Sequence, residues 1–235
     1  MGFKDDLVAK VVDLAFSAWP TVPDARVIPK PEDLTYANSG EHLDVTILYA
    51  DIAGSTSMVD SLEDTLAAEY YSAFLHCASR IITRNDGEIQ AYDGDRVMAV
   101  YVGDGQADNA VSTALELHSS VVDIINPTFL SAYEEQHRQL KFTVGVDTGK
   151  CLAIKVGTRG VGEIAWIGGA ANYAAKLNSF DGLDHAYPIR VTAQTFGRLT
   201  ENSLYAGGAM MWQGEYNNLA KRLHYRTNYK RSIGA

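Results

Sequence analysis

No apolar run in this sequence comes near the ~20 residues that a membrane-spanning helix needs. Basic charge is also in short supply. Twenty Lys and Arg stand against 29 Asp and Glu, for a formal net charge of −9. That balance argues against nonspecific binding to nucleic acid or to a membrane surface. It leaves room for an anionic small substrate, because bound cations invert the local field. Only two cysteines occur, Cys77 and Cys151. Neither has a Cys or His at metal-ligand spacing, so both are expected as buried, reduced thiols. The six histidines are scattered without the spacing of a triad and receive no catalytic role. No internal repeat or low-complexity tract is present. The first residues, Met1 to Asp6, are charged and do not form a signal-peptide core. The expectation is a cytoplasmic protein with no nucleic-acid and no membrane partner.

What is present suffices for one sizeable core, since 46% of the 235 residues are apolar. Residues 3–18 carry Leu7, Val8, Val11, Val12 and Ala15 at helical spacing. Pro20, Pro23, Pro29 and Pro31 then break regular structure. Residues 1–40 thus read as a helix and an extended arm that packs on the domain or on a partner subunit. The run from Leu43 to Ala50 is β-rich and apolar, which suits a buried strand. A helix is predicted over 60–84, then strands at 87–92 and 96–102 around an Asp93-Gly94 turn. A second helix over 105–125 is stopped by Pro127, and a short one follows at 128–138. Strands at 140–147 and 150–156 are joined through Thr148-Gly149. A strand at 161–167, a helix at 170–179 and a strand near 222–229 complete the reading. Hairpins mixed with helices imply an α+β sandwich, with helices packed on a sheet.

Three constellations carry chemistry. The first is Asp51-Ile52-Ala53-Gly54-Ser55-Thr56, an acidic residue and a small loop between a buried strand and a helix. Unpaired N–H groups at such a junction suit phosphate oxygens, and Gly54 lets the backbone approach closely. A plain helix cap explains it equally well in isolation. The second is Asp93-Gly94-Asp95-Arg96, which alone is an ordinary hairpin turn. Adjacent strands would bring Asp51 and Asp95 to one sheet edge, where they repel unless cations bridge them. Oxygen ligands favour Mg²⁺ or Mn²⁺, and two such ions ~3.5–4 Å apart serve in-line phosphoryl transfer. The third is Asn172 and Lys176, which are four apart and share one helix face. An amide and a cation there can stabilise charge building on a phosphate. A solvated polar face explains them equally well.

Together these segments resemble class III nucleotidyl cyclases. Val45 to Thr56 resembles the opening strand and phosphate loop, and Gly87 to Tyr101 the second metal-binding hairpin. Phe142 to Gly149 resembles the central Gly-Ile-His-x-Gly hairpin, and Ile167 to Leu177 the Asn-bearing helix. The resemblance covers about residues 43–180 and thins toward the C-terminus. It implies a ferredoxin-like βαββαβ core with helices packed on a mainly antiparallel sheet, in a catalytic domain over 41–235. It further implies two divalent ions, Mn²⁺ or Mg²⁺, held by Asp51, Asp95 and the carbonyl of Ile52. The amides of Ile52, Ala53, Gly54, Ser55 and Thr56 would cradle the β- and γ-phosphates. Asn172 would orient the ribose or α-phosphate. Lys176 stands where the family has Arg, and it lacks the fork that spans two oxygens. Lys221, Arg222 and Arg226 are candidate triphosphate contacts, although a basic cluster is often only a solvated face. The implied assembly is a homodimer with shared active sites, one chain giving the aspartates and the other the Asn-bearing helix.

Two positions where the family reads a purine with polar side chains are Ala91 and Ala165. Tyr49 replaces the family's common Phe, and Arg96 follows the second aspartate where a small residue is frequent. This pattern is similar to the pyrimidine cyclases of bacterial Pycsar anti-phage systems, which turn UTP or CTP into a cyclic alarm signal. UTP is the preferred substrate reading, with cyclic UMP as product. CTP giving cyclic CMP and ATP giving cyclic AMP are the alternatives. A nucleotide-binding module without chemistry is an alternative of another class, on account of Lys176 and the missing base readers. The Gly-Gly-[Asp/Glu]-Glu-Phe turn of diguanylate cyclases is absent.

Overall fold

Alternation along the Leu43–Ala50 run sends its side chains to two separate cores. Leu48, Ala50 and Ile52 enter one, and Leu43, Val45 and Ile47 the other. A strand covered on both faces reads as nearly continuous apolar sequence. The computed structural model describes residues 2–158, 161–179, 184–219 and 222–234. Along the chain the elements begin with α1 (Phe3–Phe16), β1 (Glu41–Ile52), α2 (Ser55–Val59) and α3 (Asp64–Arg84). Next come β2 (Glu88–Asp93), β3 (Arg96–Val102), α4 (Gln106–Ser119) and α5 (Asn126–Tyr133). β4 (Phe142–Thr158), β5 (Val161–Gly168), α6 (Gly169–Ser179), β6 (Ile189–Thr192), α7 (Ala193–Phe196) and α8 (Glu201–Leu204) follow. A two-strand ribbon, β7 (Tyr205–Ala206) with β8 (Ala209–Met210), precedes β9 (Gln213–Leu219) and β10 (Arg222–Thr227).

The main sheet runs β2-β3-β1-β4-β6-β10-β9, with β5 paired to β4. Each of its first four strands is antiparallel to its neighbour, and among the described strand pairs β4 with β6 is the parallel one. With α3 and α4 on one face, this is the βαββαβ core that the sequence implied. α6 covers part of the other face, where Ala170, Ala171 and Ala174 pack on Val45 and Ile47.

Three sequence expectations are corrected. Thr148-Gly149 is no turn: it lies inside one 17-residue strand, β4, paired with Thr46 and Val45 of β1. The hydroxyls of Thr148 and Thr46 bond at 2.8 Å across that pairing, which a turn would forfeit. The helix expected over 60–84 starts later, as α3 at Asp64, with the separate short α2 before it. Ser61 bonds the carbonyl of Ser57 at 2.7 Å, a local side-chain competitor with the helical ladder. Pro127 does not stop a helix. A π-helical stretch at Ser120–Ile125 carries the chain from α4 into α5, whose first turn tolerates the missing N–H of Pro127. The N-terminal helix α1 forms as expected and buries none of its residues against its own chain. It is tethered at its middle and its C-terminal end: Lys10 donates to the carbonyl of Tyr36, and Asn38 to those of Leu14 and Ser17.

α6 approaches β4 closely at Gly145. A Cβ there would stand 2.2 Å from the carbonyl oxygen of Ala174 and 2.7 Å from the amide of Asn178. Gly145→Ala is therefore expected to lower stability by about 1–3 kcal/mol through overpacking. Thermal or urea unfolding checks it, and an unchanged midpoint would remove Gly145 as the seat of α6.

Candidate active site

Pairing on both sides of β1 fixes where its acidic end lies. Ala50 pairs with Val97 of β3, and Asp51 and Ile52 pair with Thr143 and Phe142 of β4. The β2–β3 hairpin closes over this end through Gly94-Asp95, with Asp93 paired to Arg96. The amide of Ile52 donates to Asp95 Oδ2 at 3.2 Å. The two strands thus bring Asp51 and Asp95 together, as neighbouring strands were expected to do. One oxygen of Asp51, Oδ1, is buried and has no hydrogen-bond partner. Burial, then the adjacent Asp95 carboxylate, pushes the Asp51 carboxyl up to about 7, against the pull of Arg96 and the Ile52 amide.

This donor set fits a hard divalent cation. A buried carboxylate oxygen without a donor, beside a second carboxylate, is costly unless a cation faces both. Among the described residues no group of three or more His, Cys, Asp or Glu could hold a metal. Any further ligands would be backbone oxygens such as that of Ile52, water, or the ligand's own phosphates. Mg²⁺ commonly binds in that way, with one or two carboxylates.

The loop that follows is narrower in its offer than the sequence implied. The N–H of Ile52 is spent on Asp95, and that of Ala53 on the carbonyl of Lys141 at 2.9 Å. Gly54 takes φ +75°, a left-handed conformation that favours glycine. It starts α2, whose first-turn amides, Ser55 and Thr56 among them, are the N–H groups open to a ligand. α2 has only five residues, so its dipole adds little to them.

Tyr49 and Arg96 meet beside the pair. The guanidinium carbon of Arg96 lies 5.8 Å from the Tyr49 ring centroid. Arg96 also pairs with Asp93 at 2.7 Å, and the Tyr49 hydroxyl donates to Met98 Sδ at 3.1 Å. Ala91 is exposed and Ala165 is half-buried.

Asn172 and Lys176 are exposed on α6. Among the described residues, neither one hydrogen-bonds or ion-pairs with Asp51 or Asp95. Instead Lys176 Nζ lies 5.1 Å from the Tyr173 ring centroid, and the Arg222 guanidinium carbon stacks at 3.6 Å over the same ring. So Arg222 joins the Asn172 face, whereas Arg226 pairs with Asp184 at 2.8 Å. Lys221 lies outside the described residues.

One residue near this face escaped sequence reasoning. Asp147 is 1% exposed, yet it stands 3.6 Å from Arg222. The Thr148 amide donates to it at 2.8 Å, and the Thr192 hydroxyl donates as well. Burial raises its pKa, opposed by those hydrogen bonds and by Arg222. The signal was a lone carboxylate amid the apolar Phe142–Gly149 run.

Residues 37–217 match the family described as adenylate and guanylate cyclase catalytic domain. The uridylate cyclase of Burkholderia cepacia is 40% identical over 219 residues, covering 92% of this chain and 93% of that protein. The uridylate cyclase of Xanthomonas perforans is 36% identical over 231 residues, covering 98% of each. Among solved structures, the adenylyl cyclase CyaB from P. aeruginosa aligns with a TM-score of 0.69 at 18% identity, over 83% of this chain and 99% of that one. At that identity the likeness concerns the fold. No described helix is long and apolar enough to cross a membrane.

Proposed function

The chain belongs to the adenylate and guanylate cyclase catalytic domain family, and on that premise we propose that it is a uridylate cyclase, converting UTP to 3′,5′-cyclic UMP and diphosphate. The observation that carries this reading is the meeting of Asp51 and Asp95 at the end of β1, with one Asp51 oxygen buried and unpartnered. Two Mn²⁺ or Mg²⁺ ions bound there would activate the ribose 3′-oxygen and neutralise the triphosphate. In the reaction that oxygen bonds to the α-phosphorus, and the bond to the β-phosphate's bridging oxygen breaks. Diphosphate leaves, and the hydroxyl proton passes to solvent.

The chain's own residues have separate tasks. The first-turn amides of α2 hold terminal phosphate oxygens. Asn172 orients the ribose or α-phosphate, and Lys176 meets the charge that builds as diphosphate departs. Arg222, stacked on Tyr173, adds a second cation to that face. Because Asn172 and Lys176 make no bond to the aspartates of their own chain, a homodimer would complete each site from two copies. Tyr49 and Arg96 narrow the base pocket and favour a pyrimidine. Support for uracil comes from the near-full-length relatives, both named uridylate cyclases. From the sequence pattern's resemblance to the Pycsar pyrimidine cyclases, the product would act as a second messenger in anti-phage defence.

The test is a panel of the four ribonucleoside triphosphates with Mn²⁺, read by product chromatography. Cyclic UMP is expected as the main product. Cyclic AMP in its place would overturn the pyrimidine reading, and bound triphosphate without released diphosphate would overturn the enzymatic one.

A further inference from the structure

β2 carries one residue too many for its partner. Ile89 pairs with Ala99 and Ala91 with Met98, so Gln90 is the extra residue of a bulge. A bulge bends its strand and re-aims a side chain. Ile89 packs toward the core beneath α3 and α4. Gln90 turns to the opposite face, where its Oε1 accepts the indole N–H of Trp166 at 3.2 Å. Trp166, on β5, is 7% exposed and shares a core with Ile47 and Met98. Tyr49, Met98 and Ala91 form one row across three strands on this face. Asp51 lies two residues along β1 from Tyr49, about 7 Å at strand spacing, on the same face. Gln90 therefore stands on the face of the sheet that bears the aspartate pair, Tyr49 and Arg96.

The contact with Trp166 decides what Gln90 offers. An indole N–H is a donor only. The amide oxygen must face it, so the amide nitrogen faces away. One hydrogen of Nε2 goes to Glu88 Oε1 at 3.1 Å. The second has no partner among the described residues. Flipping the amide would break both bonds, so Gln90 presents a fixed donor. Uracil carries a carbonyl acceptor at C4, where cytosine carries an amino donor. The flanking side chains, Ala91 and Ala165, are small enough to admit a base edge to this amide.

We propose that Gln90, locked by Trp166, selects uracil over cytosine by donating its free amide N–H to O4 of the base. This rests on the pyrimidine-cyclase reading above and names the residue that divides its two substrates. Gln90 is the specificity residue, and Trp166 is a positioning residue that acts through it.

The experiment compares kcat/KM for UTP with that for CTP in the full-length protein, in Gln90→Glu and in Trp166→Phe. The wild type is expected to prefer UTP. Gln90→Glu replaces the donor by acceptors, and the UTP-to-CTP ratio falls by about tenfold or more. Trp166→Phe keeps an aromatic ring but frees the amide to flip. Its ratio falls through a gain in CTP turnover, whereas a merely structural role would lower both substrates together. If Trp166→Phe does not fold, Gln90→Glu decides alone, since Gln90 is only half-buried. An unchanged ratio in Gln90→Glu overturns the proposal and leaves the pyrimidine reading intact, as does a wild type that prefers CTP. A wild type that makes no cyclic pyrimidine overturns both.

Discussion

Asp51→Asn is expected to cut turnover at least about 10³-fold, the rate equivalent of several kcal/mol of lost charge stabilisation. The same substitution is expected to raise the melting temperature of the metal-free protein. The two effects have one cause. Asp51 holds a buried oxygen without a donor, next to Asp95, and its carboxyl is pushed up to about 7 by burial and that neighbour. An amide of the same size removes the repulsion and supplies a donor toward Asp95, while weakening the ligand set for a divalent cation. Mn²⁺ should raise the melting temperature of the wild type by preferential binding to the folded state, and should do so little in the variant. Chelation of the wild type should mimic the loss of turnover. A variant that turns over normally, or one that Mn²⁺ stabilises as much as the wild type, would sink the metal role of Asp51.

The second large effect concerns two inactive proteins that recover activity on mixing. Asp51→Ala lacks a metal ligand, and Asn172→Ala lacks the amide on α6. If each site takes its aspartates from one copy and its helix from the other, a heterodimer holds one doubly damaged site and one intact site. Random exchange makes half of the dimers mixed, so activity should return to about a quarter of the wild-type level. Sites confined to one chain give no recovery. The single-chain geometry motivates the expectation: Asn172 and Lys176 are exposed and do not bond to the aspartate pair. Unmixed controls separate complementation from residual activity, and size-exclusion chromatography checks that the exchange took place.

Much of the fold was legible because local signals agreed with one another. The Leu43–Ala50 run, the Asp93-Gly94 turn and the small-residue helix after Gly168 each sit where the sequence placed them. The juxtaposition of Asp51 and Asp95 needed only that β1 and β3 be neighbours. Thr148-Gly149 was misread because its turn chemistry is local, while the partners that extend it, Thr46 and Thr195, are distant in sequence. Pro127 was misread because a helix can restart at a proline. The tether between Asp147 and Arg222 was hidden for the same reason as the Gln90 bulge. Each depends on a cross-strand register, which no spacing along one strand reveals.

β4 has a mechanical consequence. Its Thr143 is paired with Asp51, and its Gly145 is pressed against α6. The backbone that braces the aspartate end is therefore, two residues on, the floor beneath Asn172 and Lys176. In a dimer with shared sites these two stations of one chain serve different substrates. In such a dimer β4 would be the shortest covalent link between the two sites, the segment along which any coupling of their turnover would have to run.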